Sequence, residues 1–318
     1  VGSEMCIRDI RYTREEEKLV SYKEKGGFYR HIYSLPCRWR RAKYHDKVVR
    51  AYQQGFDAPA LLNNSEVIVS LTTFPPRISQ LHLVLKSILW QTYVPADIIV
   101  WLSEQEFPGR LNDLPEELRK LTANGVKFKF VPENFRSHKK YYYVFREYPD
   151  HKVITVDDDL IYPRNTIERL LSLSYQYPDT VCGNVIRKIR MDGNTFSVYR
   201  KWPKVFMMPV NSSLQNVAIG CGGIYYPSRW YGEELFDWKI ISEHCPFADD
   251  LWLKANELKR RINVTGGGEF YPRPIELPQT QNNSLQKKNN GKINLNDKQW
   301  KSLNELWKLD ELYCINGK

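Results

Sequence analysis

The sequence contains no CxxC pair: its six cysteines, Cys6, Cys37, Cys182, Cys221, Cys245 and Cys314, stand far apart along 318 residues. That spacing argues against a zinc ribbon or a dense disulfide framework and fits a reducing compartment, with each cysteine a small buried thiol. No apolar run is long enough to cross a bilayer. The best stretch, SILWQTYVPADIIVWL, is broken by Pro95 and Asp97. No GxGxxG occurs, which removes a dinucleotide-binding dehydrogenase. No signal-peptide pattern is visible, and because the chain opens on Val1 its natural start is expected upstream. Residues 1–9, VGSEMCIRD, read as translated adaptor and stand outside the fold reading.

What is present is enough for a sizeable core: 42% hydrophobic and 13% aromatic residues exclude a disordered chain. The formal net charge of +10 is unevenly placed, with +6 in residues 1–50, +3 in 282–318 and only +1 between them. A nucleic-acid enzyme would line its central channel with that excess, so no nucleic-acid partner is expected. Basic flanks suit an anionic membrane surface or an anionic partner.

Residues 10–56 read as irregular helical segments, TREEEKLVSYKEK and RWRRAKYHDKVVRAYQQ, separated by Gly26-Gly27 and Pro36. Trp39 and Tyr44 among Arg38, Arg40, Arg41 and Lys43 suit a membrane interface; the alternative is a solvated helical appendage packed on the core. From residue 66 short apolar strands alternate with amphipathic helices: EVIVSL, DIIVWL, VKFKFV and KVITV start at 66, 97, 126 and 152, one βαβ length apart. This predicts an α/β fold with a mostly parallel, Rossmann-like sheet flanked by helices and a helical N-terminal extension. TVCGNVIRKIRM and GCGGIYYP read as further strands, ADDLWLKANELKRR as a helix opened by acids, and QNNSLQKKNNGKINLND as loop before a terminal helix. The division expected is 1–64 extension, 65–281 main domain and 282–318 loop and helix.

Asp157, Asp158 and Asp159 follow the strand KVITV directly. Like charges so close repel unless a cation intervenes. At the carboxyl end of a strand they suit Mg²⁺ or Mn²⁺ completed by substrate phosphates; taken alone they equally suit a solvated turn or a helix N-cap before PRNTIERLL.

EVIVSLTTFPPRI, KKYYYVFREYPDHKVITVDDDLIYP, CGGIYYP and FADDLWLK together resemble the GT-A type of nucleotide-sugar glycosyltransferase over residues 65–280. The likeness is nearest to bacterial enzymes of surface-polysaccharide synthesis and more distant to exostosin-type transferases. The resemblance implies a nucleotide-sugar donor, a glycan or lipid-linked acceptor, a hexosyl transfer that inverts configuration, and work at the cytoplasmic face of a bacterial membrane. Thr72, Thr73 and Arg77 would then hold base and ribose. Asn134, Lys139 and Lys140 would contact the nucleotide, unless the lysines merely open a helix. Asp157 and Asp158 would face the donor, with Asp157 reaching the ribose or the metal through water and Asp159 binding the metal directly. Gly222 and Gly223 would let backbone approach sugar or phosphate, or simply form a tight turn. Asp250 would be the acceptor base, with Asp249 the close alternative and one of the two free to cap the helix. Many such enzymes add a C-terminal histidine to the metal; here the last is His244, beside Cys245 and Pro246, where a structural role is expected.

Two other enzymes place acids after a strand. A haloacid-dehalogenase-type phosphatase would want Thr or Val where Ile161 stands and would carry the motif on its first strand. A sugar-phosphate nucleotidyltransferase would show a Gly-rich loop after the first strand, and LTTFPPRI has no glycine. A carbohydrate-binding relative without turnover is the non-enzymatic alternative, against which the intact Asp157, Asp159, Asp249 and Asp250 argue.

Overall fold

The computed structural model describes residues 35–53, 61, 65–205, 209–267, 274–277 and 294–314. The helix expected in TREEEKLVSYKEK and residues 281–293 of the expected loop QNNSLQKKNNGKINLND lie outside the described residues; the end of that loop is instead helical, with Asn294 capping the helix Leu295–Trp307.

The first half of the main domain alternates as its apolar periodicity demands. Strands β1 (Val67–Thr72), β2 (Asp97–Ser103), β3 (Val126–Val131) and β4 (Lys152–Thr155) are separated by helices α2 (Leu81–Leu89), α3 (Glu116–Lys120) and α4 (Lys139–Glu147), with α1 (Leu35–Gln53) preceding them. Gly125, at φ +94°, turns the chain out of the helical segment after α3 into β3. Beyond β4 follow α5 (Thr166–Gln176), β5 (Val181–Gly183), β6 (Pro209–Ser213), β7 (Ile224–Tyr226), α6 (Trp238–His244), α7 (Asp249–Arg260), β8 (Val264–Gly267), α8 (Leu295–Trp307) and α9 (Leu309–Cys314).

One sheet collects the eight strands in the order β6-β8-β5-β7-β4-β1-β2-β3. The pairs β1–β2, β2–β3, β1–β4 and β5–β8 are parallel; β7 runs against β4 and β5, and β6 against β8. The sheet is therefore mixed and mostly parallel, and helices cover both of its faces. Successive residues of β1 bury on opposite sides, Ile68 in one apolar cluster and Val67 and Val69 in the other. From β1 the chain builds outward through β2 to β3, then returns over α4 to lay β4 on the other flank of β1. That reversal is a topological switch point, where the carboxyl ends of β1 and β4 diverge and leave a crevice.

Three departures from the sequence pattern shape what lies over that crevice. TVCGNVIRKIRM, read as one strand, divides at Asn184, whose side-chain amide donates to the Gly222 carbonyl at 2.9 Å. Its second half, Ile186–Lys188, joins Lys204–Val205 and Asn216–Ala218 in a separate three-stranded antiparallel ribbon. The terminal helix breaks into α8 and α9 at Lys308, φ +51°. Both flanks also join the core: Val48 and Tyr52 of α1 pack with the β1–α2 cluster, and Trp300, Leu303 and Leu309 pack with the α7 cluster. Pro36 lies inside the first turn of α1, where a missing N–H costs nothing, rather than before the helix.

Candidate functional site

The crevice is a cavity of about 250 Å³, a little below the usual size of small-molecule pockets. Thr72 and Arg77 reach it from the end of β1, Asp157–Asp159 from the end of β4, and Asp249 and Asp250 from the first turn of α7. Glu276 arrives because Ile275–Glu276 pairs antiparallel with Leu160–Ile161 beside the acidic run.

Two cationic side chains are shared among four of the acids. The Arg77 guanidinium grips Asp158 through Nη1 and Asp159 through Nη2, the latter at 3.1 Å, while the Thr73 hydroxyl donates to Asp158 at 2.6 Å. Lys140 is buried and bridges the two halves of the site, 2.9 Å from Asp157 and 2.8 Å from Asp249. The Asp250 Oδ2 accepts from the Gly220 N–H at 3.2 Å, and its Oδ1 is shut from water without a hydrogen bond. Neither Asp249 nor Asp250 caps α7; the N-cap is Ala248, with no side-chain bond.

Six carboxylates line the cavity against four cationic side chains, and burial together with those charges sets their acidities. Burial, then the charges of Asp157 and Asp158, push Asp159 up to about 7 against the pull of Arg77. Burial, then Asp249, push Asp250 up to about 8. Burial also raises Asp249, but Lys140 and His138 outweigh it and hold that carboxyl below its ordinary range. Lys140, desolvated yet flanked by Asp157 and Asp249, stays charged with its pKa well above the usual lysine value.

Not every expected residue reaches the cavity. Lys139 is buried against Glu106 at 3.2 Å and Asn134 at 3.0 Å, and Asn134 also accepts from the Arg136 N–H. Both are therefore scaffolding of the loop before α4. Gly222 and Gly223 face protein: a Cβ on Gly222 would stand 2.7 Å from Val185, and Gly223 takes φ +78° beside Leu170 and Thr166. The glycine of GCGG that touches the acids is Gly220, where a Cβ would stand 2.9 Å from Asp157 Oδ1. Thr73 acts from behind, through Asp158. His244 bonds Ser302 of α8 at 2.8 Å, away from the cavity. The nearer histidine, His138, is buried behind Asp249. Its Nε2 donates to the Cys245 carbonyl and its Nδ1 accepts from the Tyr141 hydroxyl, both at 2.9 Å, which fixes one neutral tautomer.

Sequence reasoning also missed Arg187 and Lys204 on the ribbon, Tyr199 in the turn before its strand Lys204–Val205, and Asn296 on α8, which line the far wall. Only the alternation in IRKIR hinted at a strand that could present Arg187.

Among the described residues no three His, Cys, Asp or Glu side chains form a metal cage. The acid set fits a hard divalent ion in the sparser manner, one or two carboxylates with the other oxygens from a ligand: Asp157 and Asp159 open on the cavity, and burial together with the charge of Asp157 pushes Asp159 toward neutrality.

Fold and cavity together define a Rossmann-like α/β protein with an acidic crevice at the sheet's switch point. No protein-family model matches the sequence, and no characterised protein matches it at the level of sequence. Among solved structures, the chain is similar to Staphylococcus aureus TarS 1–349 in complex with UDP (15% identity, TM-score 0.41), covering 64% of this chain and 59% of that one, so it spans under two thirds of that structure. It is similar also to a CMP:2-keto-3-deoxy-manno-octonic acid synthetase complexed with CTP (12%, TM-score 0.39; 72% and 98% covered). A third is the UTP-bound UGPase of Acinetobacter baumannii (10%, TM-score 0.38; 73% and 96% covered).

Proposed function

We propose that this chain is a glycosyltransferase that moves a sugar from a nucleotide-diphosphate donor to a hydroxyl of a glycan or lipid-linked acceptor. The observation that carries this reading is one cavity walled by two acid groups on separate elements, Asp157 and Asp159 after β4 and Asp249 and Asp250 on α7. Sugar transfer needs both functions at once, a place for the diphosphate that leaves and a base for the hydroxyl that attacks.

Thr72 and Arg77, at the end of β1, would face the nucleoside. Asp159, with Asp157, would hold Mg²⁺ or Mn²⁺ together with diphosphate oxygens; when bound, the ion neutralises charge growing on the departing nucleoside diphosphate. Asp250 would take the acceptor's proton on its unpaired Oδ1, and its raised pKa makes it a stronger base than an ordinary carboxylate once ionised. Asp249 would not compete for that proton, because Lys140 holds it ionised. A base on α7, on a different element from the acids that would face the leaving group, would serve an inverting transfer. The exposed Trp39, with Lys43 Nζ 3.8 Å above its ring, and the basic sequence of α1 suit an anionic membrane surface, which would place the enzyme at the inner face of a membrane.

The test is a thermal-shift panel of UDP, GDP, CMP and their sugar conjugates, each with Mn²⁺ and with EDTA. A ligand at 100 times its dissociation constant adds about 2.7 kcal/mol of stability. A metal-dependent shift with one nucleotide family, lost in Asp159→Asn, is expected. No shift with any nucleotide would sink the donor assignment.

A further inference from the structure

Arg187 is a charged group of the cavity for which the proposed chemistry so far has no task. It is half-buried on the ribbon and lines the far wall. Its Nη1 donates to the carbonyls of Trp202 at 2.8 Å and Tyr199 at 3.3 Å, and its guanidinium lies 4.6 Å from the centre of the Tyr199 ring. Those contacts fix the group in place without balancing its charge. Among the described residues it pairs with no carboxylate, and its Nε is buried with no hydrogen bond. A half-buried guanidinium held rigid, yet paired with no carboxylate among the described residues in a cavity crowded with acids, is built to meet an anion from outside. Lys204, on the neighbouring strand of the ribbon, lines the same wall.

The ribbon carries Arg187 to the side of the base: Arg187 pairs with Val217, and three residues on the Gly220 N–H donates to Asp250 Oδ2 at 3.2 Å. The Arg77–Asp158–Asp159 network stands instead on the ends of β1 and β4. Arg187 thus stands at the end of the cavity assigned to the attacking hydroxyl. We propose that Arg187, aided by Lys204, is an anion subsite for the acceptor, and that the acceptor carries a phosphate ester or carboxylate near the hydroxyl that is glycosylated. The assignment to the acceptor rests on the transferase reading; the anion subsite itself does not.

The probe is inorganic phosphate, titrated by calorimetry into the full chain alone and in the presence of Mg²⁺ with UDP or GDP. Phosphate should bind the wild type with or without nucleotide, and Arg187→Met should weaken it about tenfold or more while leaving nucleotide affinity unchanged. Because Arg187→Met also loses two bonds that brace the ribbon, Lys204→Ala, an exposed position, serves as the second variant and should weaken phosphate about threefold without altering the melting temperature. Phosphate displaced by nucleotide, with nucleotide affinity falling in Arg187→Met, would assign the anion to the donor diphosphate and overturn the acceptor assignment. Phosphate binding that is absent, or unchanged in both variants, would overturn the subsite. Phosphate binding that needs Arg187 in a protein that binds no nucleotide would leave the subsite standing and the transferase reading fallen.

Discussion

At Asp250 a carboxyl has one oxygen shut from water and a second negative charge from Asp249 beside it, so the folded chain holds its proton far more tightly than the unfolded chain does. The stabilisation from that proton is complete at acid pH and is lost as the pH rises from the ordinary carboxyl value through about 8. Asp250→Asn removes the charge and keeps an oxygen for the Gly220 N–H. The variant is therefore expected to be about 1–3 kcal/mol more stable than wild type at pH 7 in urea unfolding, while losing sugar transfer and retaining donor binding. Full activity in that variant would move the base to Asp249 or elsewhere. In the wild type, transfer should rise with pH across the interval around 8, a limb absent from any residual activity of Asp250→Asn. His138 works with the opposite sign. Burial holds its pKa down at about 4, so from about 6.5 downward the unfolded chain takes up a proton that the folded chain refuses, and stability falls until about 4. The loss over that window is about 3 kcal/mol. Chemical unfolding at pH 7 and pH 4.5 should show a gap between the two stabilities that shrinks in His138→Gln; an unchanged gap would mean that the carboxylates alone set the acid limit.

Helix α7 joins the site to the core. Its first turn supplies Asp249 and Asp250, and its body is sealed in the larger apolar cluster by Leu251, Trp252 and Leu258. Within that body Lys254 and Glu257 are both buried, 3.2 Å apart, one turn of helix separating them. Burial drives Lys254 down and Glu257 up, each opposed by its partner, so the pair survives as a mutual arrangement. Lys254→Met alone strands the Glu257 carboxyl and should cost about 3–5 kcal/mol, whereas Lys254→Met with Glu257→Leu should lie within about 1 kcal/mol of wild type or above it. Equal losses in single and double variants, read from denaturant midpoints, would show that packing rather than charge governs the helix. Such a helix was legible in the sequence, because acids followed by an apolar period of 3.6 form a local signal. The strands β1 to β4 were legible for a like reason, β1, β2 and β4 as short apolar runs and β3 as the alternation VKFKFV, and with β4 came the first acid group. The ribbon was not, since its strands are two or three residues long and pair across distances that periodicity does not reach. Of the parts of the site missed, Arg187 and Lys204 are carried by the ribbon and Tyr199 by the turn between two of its strands. Gly220 was missed for a different reason: in GCGG three glycines look alike, and only the fold shows which one lies against Asp157.

Across the whole molecule the cavity depends on elements from both ends of the chain. Lys140, in the parallel half, ties the β4 acids to α7, and α8 braces the opposite wall: Asp297 accepts from the Tyr199 N–H, and Gln299 Oε1 accepts from the Phe247 N–H at 2.8 Å. Helix α8 packs into the core of the main domain: Trp300 is 3% exposed and sits edge-on to Trp202 with ring centres 5.2 Å apart. Trp202 in turn carries the carbonyl that steadies Arg187. Trp300→Ala opens a large hole in that cluster and is expected to cost about 3–5 kcal/mol, where an appended helix would lose little. The same substitution should act unevenly on the two ends of the cavity. The Arg77–Asp158–Asp159 network stands on β1 and β4 and does not touch α8, so nucleotide affinity in Mg²⁺ should stay near that of wild type at temperatures where the variant is folded. Phosphate binding at Arg187 should weaken, since its Tyr199–Trp202 support has lost its backing. Calorimetric titration of Trp300→Ala with both ligands checks this. If both affinities fall together, the two ends of the cavity are one mechanical unit; if neither falls, α8 stabilises the fold without shaping the site.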